Sequence, residues 1–116
     1  MHQKIKEDWI KALTSGEYIQ ARGTLKCIED GAASYCCLGV LCELAHKEGI
    51  GEWNFGWPNN YIYQNQAGVI SNDVKDWSGL PDKNGSFGPQ HEDCLTILND
   101  SGKTFEEIAE IIKEHF

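Results

Sequence analysis

The sequence is short of several things, and each shortage excludes something. No apolar run approaches the length of a membrane span. The longest, residues 35–42, is far below the roughly 20 residues a bilayer requires, and the start Met-His-Gln-Lys-Ile-Lys-Glu-Asp has no apolar h-region of a secretory signal. We therefore expect no membrane association and a cytoplasmic location. Basic residues are scarce: 10 Lys and Arg stand against 18 Asp and Glu, a net charge of -8. That field repels phosphate backbones, and no Lys/Arg stripe counters it, so nucleic acid is not an expected partner. A compact anion remains open, because one arginine and a few helix N-terminal amides suffice for a phosphate. Repeats and low-complexity tracts are absent. The five cysteines, Cys27, Cys36, Cys37, Cys42 and Cys94, are an odd number, and three lie in an apolar helical pattern, where free Cys behaves as a small hydrophobe. Reduced thiols are expected rather than a disulfide framework.

What is present is an ordinary globular composition. Hydrophobic residues make up 41% and charged residues 24% of 116, enough for one real core and one domain spanning residues 1–116. Ile5, Trp9, Ile10 and Leu13 recur at helical spacing before Gly16, which predicts a helix over 3–15. Residues 18–28 break into short apolar pieces around Arg22-Gly23 and read as an extended segment or small hairpin. Ser34 offers a cap for a central helix over 35–48, with Cys37, Leu38, Leu41, Leu44 and Ala45 at spacings of three and four. Residues 50–68 interleave Trp53, Phe55, Trp57, Tyr61 and Tyr63 with Gly, Asn and Gln, the pattern of an aromatic loop or hairpin. Ser71 and Asn72 precede a short helix over 72–78, Pro81 to Pro89 marks a surface loop, and a helix is read over 91–98. Thr104 and Glu107 form a capping box for a last helix over 105–115. These elements predict an α+β fold, about four helices packed on a small antiparallel sheet.

Several wordings of the chain are familiar: Trp9-x2-Ala12-Leu13-x-Ser15-Gly16-x-Tyr18-x-Gln20, then Tyr35-Cys36-Cys37-Leu38-Gly39-Val40-Leu41-Cys42, then Leu98-Asn99-Asp100-Ser101-Gly102-Lys103-Thr104-Phe105-Glu106-Glu107-Ile108-Ala109. Together they resemble a family of small uncharacterised proteins of tailed phages and prophages. The resemblance spans about two thirds of the chain, and residues 50–95 match only loosely, at Val74-x2-Trp77-x-Gly79-Leu80. It implies phage origin and action on or inside a bacterial host, with counter-defence as the common task of such accessory proteins. It carries no residue roles.

Cys36 and Cys37 sit near a helix start, where the dipole favours a thiolate, and His46, His91 and Asn99 are the groups that could complete a cysteine hydrolase or transferase. The ordinary alternative, two small hydrophobes filling a core, is favoured. Cys42 and His46 are one helical turn apart, half of a zinc site, but no Cys-x2-Cys pair supports a metal, and none is expected. The Gly-Lys-Thr-Phe-Glu-Glu-Ile-Ala wording looks like the second half of a helix-turn-helix, yet Glu106, Glu107 and Glu110 occupy the reading face. Asn99-Asp100-Ser101 lacks the acidic alternation of a calcium loop.

Arg22 beside Gly23 and close to Gln20 gives a guanidinium, an amide and a permissive backbone fit for a phosphate or ribose edge, against a surface ion pair as the plain alternative. The aromatic segment fits base stacking as well as it fits a second small core or a homodimer interface. The leading expectation is a non-catalytic protein that sequesters a small host-derived ligand, nucleotide or cyclic nucleotide, without a cofactor. Trp53, Trp57 and Tyr61 would stack, Arg22 would meet a phosphate, and Gln20 and Asn99 would read edges. An inhibitor of a host protein and an enzyme built on Cys36 are the alternatives.

Overall fold

A computed structural model describes residues 1–56 and 60–116. Two amphipathic helices frame the chain. The first, α1 (Gln3–Thr14), buries Trp9 and Leu13. The last, α5 (Phe105–His115), buries Phe105, Ile108, Ala109 and Ile112 behind the Thr104–Glu107 capping box, and the two lie against one another. Both follow from a stripe of apolar residues at spacings of three and four. Between them stands α2 (Cys37–Lys47), in which Cys37, Leu38, Gly39, Val40, Leu41 and Cys42 are all buried. It is the centre of the molecule, touching α1, α3 (Asn72–Ser78), α4 (Leu95–Asp100) and the sheet. The Trp9 indole N–H donates to Cys37 O at 2.9 Å, which ties α1 to the first turn of α2.

The sheet has five strands in the order β1-β3-β2-β5-β4: β1 (Ile19–Gln20), β2 (Lys26–Glu29), β3 (Ala32–Tyr35), β4 (Trp53–Gly56) and β5 (Asn60–Tyr63). A small second sheet pairs β6 (Ser86–Phe87) with β7 (Asp93–Cys94). The α+β class is as expected, with two differences. The main sheet is mixed, because β1 runs parallel to β3. Five helices stand among the described residues, one for each helical segment read from the sequence, where the fold class was put at about four.

Two boundaries also move. Tyr35 is not the first residue of α2 but the last of β3, directly opposite Lys26, so Cys36 rather than Ser34 caps the helix, its Sγ accepting from Gly39 N at 3.3 Å. The helix expected from 91 begins at Leu95, because Asp93 and Cys94 are held in β7. No helix among the described residues is long and apolar enough to cross a membrane.

Gly39 explains how the chain crosses the start of α2. The Leu25 carbonyl lies so close that any Cβ at position 39 would collide with it. Leu25 O also accepts from Cys36 N at 3.1 Å, and Leu25 N donates to Ala67 O at 2.7 Å. The segment leading into β2 is thereby laid directly over the first turn of α2.

Candidate functional site

The expected site residues fall into two groups. Gln20 and Asn99 come together at the start of α2. Asn99 is fully buried, and its Oδ1 accepts from Gln20 Nε2 at 2.8 Å and from Cys37 N at 3.1 Å. Its Nδ2 donates to Ala21 O at 2.9 Å and to Asp100 Oδ1 at 3.1 Å. Gln20 Nε2 gives a further bond to Lys103 O at 2.8 Å. A primary amide has two donors and an acceptor oxygen with two lone pairs, so the Asn99 amide is filled from within the chain. Arg22 lies on the adjoining loop with its side chain exposed, and the next residue, Gly23, donates its N–H to Asp100 Oδ1 at 2.8 Å. This region is a polar clasp joining the β1–β2 loop, α2 and α4.

Cys36 sits at the same place and is poorly suited to nucleophilic work. Only 5% of it is exposed. Burial pushes its thiol up to about 11, against the opposing pull of the Gly39 and Leu38 amides. Burial likewise raises Cys37 and Cys42 well above the ordinary thiol value. With a value near 11, the thiolate fraction at neutral pH is on the order of one in ten thousand. His46 is at the other end of α2, its Nδ1 3.0 Å from Gly51 O, roughly 15 Å along the helix axis from the cap. Among the described residues no three His, Cys, Asp or Glu side chains gather as metal ligands.

Trp53 and Tyr61 form the second group, on the sheet, and Trp57 lies outside the described residues. The strand registers align Gln20 with Tyr35, Tyr35 with Lys26, Lys26 with Tyr61, and Tyr61 with Phe55. Directly opposed residues share a face, so one row of five side chains crosses the sheet from edge to edge. Lys26, which is not among the expected site residues, is its centre. The Lys26 ammonium lies 4.7 Å from the Tyr61 ring centroid, 5.1 Å from Trp53 and 5.3 Å from Tyr35. Each such contact contributes about 0.5–1 kcal/mol at a partly wet site. Among the described residues no carboxylate lies within ion-pairing distance of Lys26, although acids outnumber bases in the chain.

Around this ammonium the rings are locked edge to face. Tyr18 meets Tyr35 at 5.3 Å, Tyr35 meets Trp53 at 6.2 Å, Trp53 meets Tyr63 at 4.8 Å and Phe55 meets Tyr61 at 5.5 Å. Tyr35 OH donates to Glu43 Oε2 at 2.8 Å, and burial together with that carboxylate raises the phenol above its usual value. Trp53 Nε1 and Tyr63 OH are buried and have no partner among the described residues. Phe55, at the end of the row, is 62% exposed. An anchored cation, fixed aromatic faces and an open ring at the rim are the ingredients for holding a planar anion.

The matching family model is a domain of unknown function, DUF8296, and it covers residues 1–116. The chain belongs to the DUF8296 family. No curated protein and no solved structure matches this DUF8296 chain.

A cavity of about 300 Å³ between α1, α2 and α3 is lined by none of the expected residues. Its cations are already engaged, Lys4 with Asp8 at 3.0 Å and Lys47 with Tyr18 OH at 3.3 Å. Lys47 also lies over one ring, Tyr18 at 5.9 Å, whereas Lys26 is held by three and gives no hydrogen bond to any of them.

Proposed function

We propose that this chain is a non-catalytic binding protein that sequesters a small nucleotide-like anion on the aromatic row of its sheet. The observation that carries the reading is the Lys26 ammonium, held among Tyr35, Trp53 and Tyr61 with no carboxylate beside it among the described residues. Such a cation is oriented by ring quadrupoles and still has N–H donors to give to a phosphate. Phe55 and Tyr61 offer faces on which a base can stack. In this reading Lys26 takes the phosphate-neutralising role first expected of Arg22, while Gln20 and Asn99 brace the fold. The resemblance to phage proteins makes a host nucleotide or cyclic-nucleotide immune signal the natural ligand, captured in the host cytoplasm.

The test is native mass spectrometry after incubation with deproteinised extract of phage-challenged bacteria. A retained mass that is released unchanged supports sequestration, and a retained mass released as a smaller product contradicts it. A second reading, an inhibitor that docks on a host protein, is favoured by the exposure of Phe55 on an acidic molecule. It is distinguished by a stoichiometric complex formed without any small ligand.

A further inference from the structure

β4 (Trp53–Gly56) ends the five-stranded sheet. Its partner β5 places Ile62 opposite Asn54 and Asn60 opposite Gly56, and Gln64 N donates to Glu52 O at 3.4 Å. Tyr63, opposite Trp53, turns its backbone the other way, exchanging bonds of 2.8 and 3.0 Å with Gln66. Inward and outward groups alternate along an antiparallel strand, so the N–H and C=O groups of Trp53 and Phe55 point out of the sheet. Among the described residues β5 is the only strand that pairs with β4, and no loop backbone bonds these outward groups.

Exposed edges of this kind are ordinarily guarded by lysine, proline or an inward charge. Here the strand Trp-Asn-Phe-Gly carries none of these, and it opens a run of twenty residues, 53–72, without a single charge in a chain that is 24% charged. A basic partner would be drawn to the acidic surface and would gain nothing from a neutral edge. A second copy, carrying the same -8, approaches most closely where like charges are not opposed, and in the pairing below Glu52 falls opposite Gly56 and not opposite its own copy.

From this we infer that β4 pairs antiparallel with β4 of a second copy about a two-fold axis through Asn54. Trp53 of each copy then meets Phe55 of the other, all the outward N–H and C=O groups are satisfied, and the two sheets become one. The contact is isologous, as a closed dimer requires. Asn54 lies opposite its own copy on the face away from Lys26, Tyr61 and Phe55, so substituting it changes no side chain of the ligand platform.

The experiment is sedimentation velocity of the whole chain over a wide concentration range, on wild type, Asn54→Lys and Asn54→Asp, with circular dichroism as the check on folding. Wild type is expected at twice the 13.0 kDa chain mass. Each variant places like charges directly opposite and is expected to be monomeric with an unchanged spectrum. An equimolar mixture of the two variants is expected to regain the dimer. Monomeric wild type at every concentration overturns the inference and leaves the edge to a strand from another protein. A dimer that survives Asn54→Lys, or variants that stay monomeric when mixed, also overturns it.

Discussion

Asn99 Oδ1 accepts the Cys37 amide at 3.1 Å, across 62 residues of chain, so one buried side chain fixes where the central helix starts. The same amide holds Ala21 O and Gln20 Nε2. Asn99→Ala leaves several buried groups without partners and is expected to cost about 2–5 kcal/mol. Urea denaturation at neutral pH measures this, and a loss under about 1 kcal/mol would show that the clasp is not structural.

Gly39 is required by closeness rather than by backbone conformation. Gly39→Ala drives a methyl group into the Leu25 carbonyl, and the neighbour is backbone, held by Cys36 N and Ala67 O. We expect a destabilisation of about 1–3 kcal/mol, read as a lowered Tm. An equally sized gain from helix propensity at this site would contradict the overlay.

The helical ends of the chain were legible because their information is local. The spacing of Trp9 and Leu13, and the Thr104–Glu107 box, are complete within a few residues, and both helices stand where the pattern puts them. The start of α2 was misplaced because Tyr35 is claimed by a strand partner, Lys26, nine positions earlier. The amide of Cys37 is claimed from still further away, by Asn99. Lys26 stands between the apolar Leu25 and Cys27, which was the available sign that it lies on the opposite face from them. Nothing local could say that three rings from β3, β4 and β5 would converge on it. Gln20 and Asn99, expected in one site, are together, but their amides are spent on each other, on the backbone and on Asp100.

The thiols should separate by burial. Cys94 is half-buried, whereas Cys36, Cys37 and Cys42 are buried, and burial raises all three of the latter. A disulfide reagent at neutral pH is expected to label Cys94 first and these three only on unfolding. A folded pKa above the unfolded one means that the contribution to stability is full below the unfolded thiol value near 8.5. It is lost as pH rises toward the folded values, so denaturation midpoints should fall from about pH 8.5 upward. Fast labelling of Cys36 in the native protein would reopen a nucleophilic role.

The acid side has the opposite sign. Glu107 is held below the ordinary carboxylate range by the Thr104 backbone and hydroxyl bonds. Asp82, which burial alone would raise, is lowered by bonds from Ser86 and Asn84. A depressed folded value means stability present above the unfolded pKa, near 4, and lost as pH falls through the lowered one. Glu107→Gln and Asp82→Asn should each flatten the stability-versus-pH curve below about pH 4, measured by urea midpoints across that window. An unchanged slope in both would remove these carboxylates from the acid transition.

The ligand platform is tested most directly by calorimetric titration of a panel of mono-, di- and cyclic nucleotides into wild type and Lys26→Gln, with folding verified in both. The expected result is saturable binding of at least one nucleotide that weakens roughly tenfold or more in Lys26→Gln, the scale of one charge-assisted hydrogen bond. No heat with any nucleotide, or equal affinity in the two proteins, would contradict a site built on the Lys26 ammonium and its three rings.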